Sequence, residues 1–354
     1  MRILAIETSC DETGAAVVEK KNNEQFVRLL SNVTATSSKL HAKTGGIIPE
    51  AASREQVKFI IPVVVEALLK SENIGQGSAK QNFKKANRIL KEKIDAVAVT
   101  FGPGLIGSLL VGVETAKTLS YAFNKPIIPV HHLLAHLYAN FISNKSSILF
   151  PFIGLIVSGG HTDLLLFESV SKFKWLGGTR DDAAGEALDK IGRLMNLPYP
   201  AGAEIENRAR QAESSTLKFQ SPMINSKDSD FSFSGLKTEV SRFITQKQLT
   251  DRLTNEICYA LQDAIFAVLI KKTIRAAKVF NVNQIVLGGG VSANQTLQKQ
   301  FEKSVISSKL KLQIFSPSKE LATDNAAMTG AYALLHYQPV NWRKITAQPD
   351  LYFD

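Results

Sequence analysis

Three histidines fall within six residues, in His131-His132-Leu133-Leu134-Ala135-His136. On a helix, His132 and His136 are four apart and share a face. Two imidazoles so placed can hold one divalent metal ion, given a third ligand from elsewhere in the chain. Asp324, in Thr323-Asp324-Asn325-Ala326 at the start of the last apolar helix, is a candidate for that ligand. Its alternative role is a plain helix N-cap, and the histidines' alternative is packing or capping. A zinc protease needs a glutamate beside the first histidine as general base. Position 133 is leucine, so that chemistry lacks its base.

Three further groups carry chemistry. Glu7-Thr8-Ser9-Cys10-Asp11-Glu12-Thr13 places hydroxyls and carboxylates in a turn between two apolar runs. There they can hold phosphate oxygens or polarise a substrate, or serve turn geometry alone. Val157-Ser158-Gly159-Gly160-His161-Thr162 and Gly288-Gly289-Gly290-Val291-Ser292-Ala293-Asn294 put paired glycines where backbone N–H groups can approach an anion, the second at a helix start. In Asp181-Asp182-Ala183-Ala184-Gly185-Glu186-Ala187-Leu188-Asp189, the residues Asp182, Glu186 and Asp189 lie broadly on one helical face. Like charges stacked there are unfavourable, so functional use is expected over simple capping.

The elements that must position these groups alternate. Residues 2–6, 14–18, 26–31, 94–100 and 126–130 read as strands, as do 152–157, 162–168, 174–177, 284–287 and 312–315. Residues 51–69, 107–123, 131–142, 182–195, 202–211, 256–280, 293–301 and 324–337 read as helices, and the Ser-rich stretch 214–230 as a surface loop. Such alternation implies an α/β protein, with mixed sheets flanked by helices. The pattern also repeats. In each half a strand–turn–strand unit is followed later by a strand running into glycines and a helix: Phe101-Gly102-Pro103-Gly104 in the first, Gly288-Gly289-Gly290 in the second. Expected boundaries are a lobe over 1–128, a second over 129–323, and a final helix and tail over 324–354 that packs back toward the first.

The composition, 44% hydrophobic and 21% charged, excludes a disordered chain. No apolar run approaches ~18 uninterrupted residues, the opening strand lacks a secretory pattern, and two cysteines cannot build a disulfide framework. A cytoplasmic protein without a membrane partner is expected. The balance of 42 Lys+Arg against 32 Asp+Glu favours an anionic partner. Lys80, Lys84, Lys85, Arg88, Lys91 and Lys93 oppose only Glu92, a net +5 in fourteen residues. That stretch reads either as a solvated helix or loop or as a patch that tracks phosphates.

Two lobes, each with a hairpin turn and a glycine turn after a strand, resemble the actin, sugar-kinase and Hsp70 superfamily, which holds its nucleotide between two lobes. A closer resemblance rests on ordered motifs spread over nearly the whole chain. These are the 7–13 turn, Gly45-Gly46-Ile47-Ile48-Pro49-Glu50-Ala51-Ala52-Ser53-Arg54, Gly102-Pro103-Gly104-Leu105, His132 with His136, Val157 to Thr162, Asp181 to Glu186, Phe231-Ser232-Phe233-Ser234-Gly235-Leu236-Lys237, Gly289 to Asn294 and Thr323-Asp324-Asn325. They resemble the bacterial TsaD-type tRNA threonylcarbamoyladenosine synthases, a family once labelled O-sialoglycoprotein endopeptidases.

The resemblance implies an actin-like fold and transfer of a threonylcarbamoyl group from threonylcarbamoyl-AMP to N6 of a tRNA adenosine beside the anticodon. It implies one metal ion, iron or zinc, on His132, His136 and Asp324. It implies an adenylate held by Ile156, Val157, Ser158, Gly159, Gly160, Asp189, Gly202, Glu206 and Asn294, with Asp11 and Glu12 lining the reactive centre. It implies a TsaB-like inactive paralogue and a small TsaE-like P-loop ATPase as partners, with Mg²⁺ and ATP used in the wider pathway. Three departures stand out: Gln56 where relatives often carry His, Ala201 for a glycine in the loop expected to meet the ribose, and Ile156 where archaeal and eukaryotic relatives place a metal-binding Tyr. The 80–93 stretch is also longer than the usual bacterial connection. The rival readings are a carbohydrate or acetate kinase, which has no need of the histidine pair, and an inactive paralogue, which would lack the metal ligands.

Overall fold

The structure, a computed structural model, describes residues 1–353 apart from 22, 23, 25, 38–45, 143–147 and 213–214. Gly45 of the glycine–proline motif and residue 214 of the expected loop lie outside the described residues. The chain divides into two units, Met1–Ser147 with Thr323–Asp354, and Ile148–Ala322.

Unit 1 starts with β1 (Arg2–Glu7), β2 (Glu12–Glu19) and β3 (Arg28–Thr36), an antiparallel meander. Helices α1 (Pro49–Ser71) and α2 (Ala79–Lys93) follow, then β4 (Ala96–Gly102), α3 (Ile106–Phe123), β5 (Ile127–His131) and α4 (His132–Tyr138). β4 and β5 join in parallel, and the sheet order is β3-β2-β1-β4-β5. Helix α2 has a reciprocal capping box between Ser78 and Gln81 and buries Ala86, Ile89 and Leu90. The basic stretch is therefore a helix with one apolar face.

Unit 2 repeats this plan. β6 (Phe152–Val157), β7 (Thr162–Phe167) and β8 (Phe173–Gly178) form the meander. Helices α5 (Ala184–Leu194), α6 (Gly202–Gln211), α7 (Ser234–Thr245) and α8 (Asp251–Val279) come next, then β9 (Gln284–Gly288), α9 (Gln295–Ser308), β10 (Gln313–Phe315) and the short α10 (Lys319–Ala322). β9 pairs in parallel with both β6 and β10, and the order is β10-β9-β6-β7-β8. Read from its other edge, this is the topology of the first sheet. The chain then returns to unit 1 as α11 (Ala326–Leu335), which packs on β1, β2 and α4.

Residues of alternating parity divide the first sheet's faces. Leu4, Ile6, Ala15 and Val17 share a core with α1, α2 and α3. On the opposite face α11 approaches Ala5 and Val18 at Gly330, where a Cβ would collide with Val18. Helix α8 is long and apolar enough to cross a membrane by length and composition, with mean hydropathy 1.3. Two-thirds of that window, 67%, is instead buried in the protein. Its apolarity serves the unit 2 core, where Ile257, Leu261, Ile265 and Leu269 sit.

The structure differs from the sequence reading in several places. The first division falls after 147 and not after 128, because β5 pairs with β4 and α4 packs on α11. The third strand runs to Thr36, and the helix expected over 131–142 ends at Tyr138, where a 3₁₀ turn, Ala139–Phe141, replaces it. Helix α7 was not expected. Its Phe233 cap offers no side-chain bond, and the Asp181 carboxylate accepts instead from Phe233 N at 2.7 Å and Ser234 N at 3.2 Å. A cap that arrives from 52 residues away leaves no local signal.

Candidate active site

His132 opens α4 directly after β5, and His136 follows one turn later. Helix α11 packs beside α4 and brings Asp324 with it. His136 Nε2 lies 3.2 Å and His132 Nε2 3.7 Å from Asp324 Oδ1. The three ligand atoms lie within 4.8 Å of one another. The helix cap is Asn325, whose side chain accepts from Met328 N at 3.1 Å. Asp324 is thus not the cap, and its alternative role falls away. Both histidines are buried, and neither ring nitrogen of His136 is in a hydrogen bond. A buried polar atom left so costs free energy, and a cation among two imidazoles and a carboxylate would relieve it. The set suits a transition metal and leaves a coordination position open.

Glu7, counted with the 7–13 turn in the sequence, is the last residue of β1. It is fully buried and accepts from Ser9 N at 2.8 Å, from Thr329 Oγ1 at 3.0 Å and from Thr100 Oγ1. Its Oε1 lies 3.4 Å from His132 Nδ1, which also meets Ser9 Oγ at 3.1 Å. Burial opposes charge on Glu7, but His132 and the hydrogen bonds hold the carboxyl below its usual range. Burial likewise opposes a proton on His132, and Glu7 and Asp324 override it, raising the imidazole to about 9. Glu7 therefore orients His132 through Nδ1 and leaves Nε2 toward Asp324, the carboxylate support metal-binding histidines use. A charged residue closing an apolar strand was the signal available for it.

The 7–13 turn is held from two sides. Gln56 on α1 is buried, and its Nε2 faces the carbonyl oxygens of Glu12 at 2.8 Å and Cys10 at 3.0 Å. This departure from relatives is a brace for the turn. Gly104 has φ +155°, and a Cβ there would collide with the Ser9 carbonyl. Leu105 N bonds that same oxygen at 2.8 Å. On the braced turn, Glu12 is raised well above the carboxylate range by burial, then by the charges of Asp324 and Asp11.

In unit 2 the equivalent turn joins β6 to β7. Ser158 N donates to His161 O at 2.9 Å, and Gly185 N donates to Ser158 O at 3.2 Å. Gly289, with φ +90°, fits against Val157, where a Cβ would strike the carbonyl oxygen. Gly159, Gly160 and Gly202 are different: a Cβ at any of them meets nothing within 4 Å. Nothing in the unit demands glycine there, so the space is open for a ligand. Ile156 and Val157 are fully buried strand residues behind the turn. Asp189 accepts from Ala201 N at 2.7 Å, and burial raises it although the Ala201 and Gly202 amides pull it back. Glu206 accepts from Gln295 N at 2.9 Å, next to Asn294, which caps α9 through Thr296 N and Leu297 N.

Some expectations change. Asp182 and Glu186 are held by Lys190 at 2.6 and 2.8 Å, and Glu186 closes a capping box onto Ala183 N. With Lys237 also 3.3 Å from Asp182, two lysines oppose the two carboxylates, so only Asp189 of that face remains a site candidate. The Ala201 methyl does not line an open loop. It is buried against Gly192, whose own Cβ would collide with it. Asp11 and Glu12 lie together on the turn, with Glu12 close enough to Asp324 to feel its charge. Lys80, Lys84, Arg88, Lys91 and Lys93 are exposed on α2, and Lys85 is half-buried.

Two sheets of one topology belong to the actin-like ATPase folds. The HypF of T. kodakarensis superposes with a TM-score of 0.60 at 15% identity, over 95% of this chain and 47% of its own. A dehydratase activator from Clostridium difficile, solved with ADPNP, gives 0.50 at 15% identity, over 95% of both chains. Within that class, residues 28–331 match the family of tRNA N6-adenosine threonylcarbamoyltransferases, TsaD. The protein of that name from Clostridium kluyveri is 44% identical over 96% of this chain and 94% of its own, and that from Moorella thermoacetica 41% over 99% and 96%. The chain belongs to this family of transferases.

Proposed function

We propose that the chain transfers the threonylcarbamoyl group of threonylcarbamoyl-AMP to N6 of the adenosine 3′ of the anticodon (A37) in tRNAs that read codons starting with A. The observation that carries the reading, in a member of this family, is the cluster of buried His132 and His136 with half-buried Asp324, in which the His136 imidazole lacks a hydrogen bond. The open glycine turn at Gly159 and Gly160 supports it from the second unit.

The donor is a mixed carbamic–phosphoric anhydride, already activated. The N6 nitrogen forms a bond to the carbamoyl carbon, the carbon–oxygen bond to phosphate breaks, and AMP leaves with that electron pair. The N6 proton must go to a base. Glu12, a carboxyl whose affinity for protons is raised by burial, is the candidate, with Asp11 beside it. Positioning two large substrates contributes up to roughly 7–11 kcal/mol of barrier reduction. Ile156 through Gly160, Asp189, Gly202, Glu206 and Asn294 hold the adenylate. His132, His136 and Asp324 would hold one divalent metal ion, Fe²⁺ or else Zn²⁺, which would supply Lewis-acid chemistry to the activated donor. Lys80, Lys84, Lys85, Arg88, Lys91 and Lys93 meet tRNA phosphates. A TsaB-like inactive paralogue and a TsaE-like ATPase act with the chain in the cytoplasm, with Mg²⁺ and ATP serving the pathway.

Reconstitution with threonine, bicarbonate, ATP, the donor synthase and the partner proteins, followed by mass spectrometry of tRNA nucleosides, tests the reading. Appearance of threonylcarbamoyladenosine only with this chain is expected. A donor consumed without tRNA modification, with a small alcohol or acid phosphorylated by ATP instead, would establish the kinase alternative.

A further inference from the structure

Tyr121, on the last turn of α3, is 69% exposed. Its ring meets Trp342 with centroids 5.3 Å apart and planes at 57°. Arg343 lies over the same indole, its guanidinium carbon 4.3 Å from the ring centroid. Four residues beyond Tyr121, Lys125 donates from Nζ to the carbonyl oxygen of Lys91 on α2, at 2.9 Å. Lys125 thus joins the end of α3, which carries Tyr121, to the C-terminal end of the basic helix. Lys344 is exposed beside Arg343. The nearby acidic side chains of these helices, Glu92 and Glu114, are engaged by Arg88 at 4.0 Å and Lys117 at 2.7 Å.

We propose that Tyr121, Trp342 and Arg343, flanked by Lys125, Lys344 and Lys91, form a contact surface for an unpaired stretch of tRNA. Aromatic rings for bases and cations for phosphates are the combination that single-stranded nucleic acid requires. Every base has a π face, so such a platform works without reading sequence. Arginine stacked on indole presents a planar face to a base and a hydrogen-bonding fork to phosphate. An apolar protein partner would leave the cations unmatched. The identity of the RNA rests on the proposed tRNA reading; the stacking chemistry does not.

The test uses the full chain and an unmodified tRNA transcript, followed by anisotropy at several salt concentrations. Tyr121→Ala should weaken binding roughly five- to a hundredfold, the range for losing one stacked base. Tyr121→Phe should restore it, and Arg343→Gln should flatten the salt slope by about 0.7. Unfolding midpoints should move little for Tyr121→Ala, since the ring is mostly exposed and loses only its contact with Trp342. Trp175→Phe leaves Trp342 as the one tryptophan, and its emission should be quenched by tRNA. A folded Tyr121→Ala protein with wild-type affinity and an unmoved Trp342 emission would overturn the proposal. So would intact tRNA binding with loss of a protein partner. Quenching by a short single-stranded oligonucleotide, in wild-type protein that transfers nothing to tRNA, would support the platform and count against the transferase reading alone.

Discussion

The β1–β2 and β6–β7 turns occupy the same place in two sheets of one topology, but they are made from opposite materials. The first holds Thr8, Ser9, Asp11 and Glu12 and no glycine; the second holds Gly159 and Gly160 and no carboxylate. Their support is nonetheless shared. After the parallel strand in each unit a glycine of positive φ packs on a carbonyl oxygen, Gly104 on that of Ser9 in the turn and Gly289 on that of Val157, the last residue of the strand entering the turn. The two units thus share the backbone device and differ in the side chains. A turn of carboxylates beside a histidine pair concentrates charge in a way that suits a cation. A turn of glycines exposes amides and leaves room for a phosphate. Equal topology fixes where a site sits, and the turn's composition decides what it does.

The largest effect should come from emptying the charged turn's neighbourhood. His136→Ala and Asp324→Ala should each lose the bound metal, read by elemental analysis, and lower transfer by at least about a hundredfold, beyond the 10–100-fold expected for a supporting residue such as Glu7→Gln. Asp324→Ala should cost little thermal stability, because Asn325 and not Asp324 caps α11. Retained metal and retained transfer in both ligand variants would end the metal-centre reading and leave both turns as mere scaffolding.

Next comes the open turn. Gly160→Val has nothing to collide with in the protein, so its unfolding free energy should stay within about 0.5 kcal/mol of wild type. Nucleotide binding, measured by calorimetry, should be lost, and metal content unchanged. Wild-type nucleotide affinity in this variant would remove the contrast between the turns.

The shared device predicts parallel costs. Gly104→Ala and Gly289→Ala each force a side chain into positive φ and onto a carbonyl oxygen, and each should lower stability by roughly 1–3 kcal/mol in denaturant titrations. If only one is costly, the supports are not equivalent.

The smallest effect concerns pH. Burial opposes charge on Asp181, but bonds from Ser232, Phe233 and Ser234 lower its pKa below the ordinary carboxylate value. A depressed pKa stabilises the fold above the unfolded value, about 3.9, and that stability is lost as pH falls through the folded value. Asp181→Asn should therefore show a flatter loss of stability below about pH 4. An acid profile identical to wild type would mean that the bonds to α7 carry no linkage.

Much of this protein was legible in its sequence. Strand alternation, the histidine spacing, the glycine turns and the doubled strand–turn–strand pattern all follow from local periodicity and residue chemistry, which act over a few positions. Tertiary structure decided what depends on residues far apart. It set Asp324 against His136 and gave its capping role to Asn325. It made Glu7 a buried support for His132 from 125 positions away along the chain. It paired Asp182 and Glu186 with Lys190 and Lys237, turned the Ala201 methyl inward onto Gly192, and capped α7 from Asp181. In each case the energy that fixes the residue is burial or a hydrogen bond to a group distant in sequence. Such partners exist only once the chain has packed, so no local pattern could announce them.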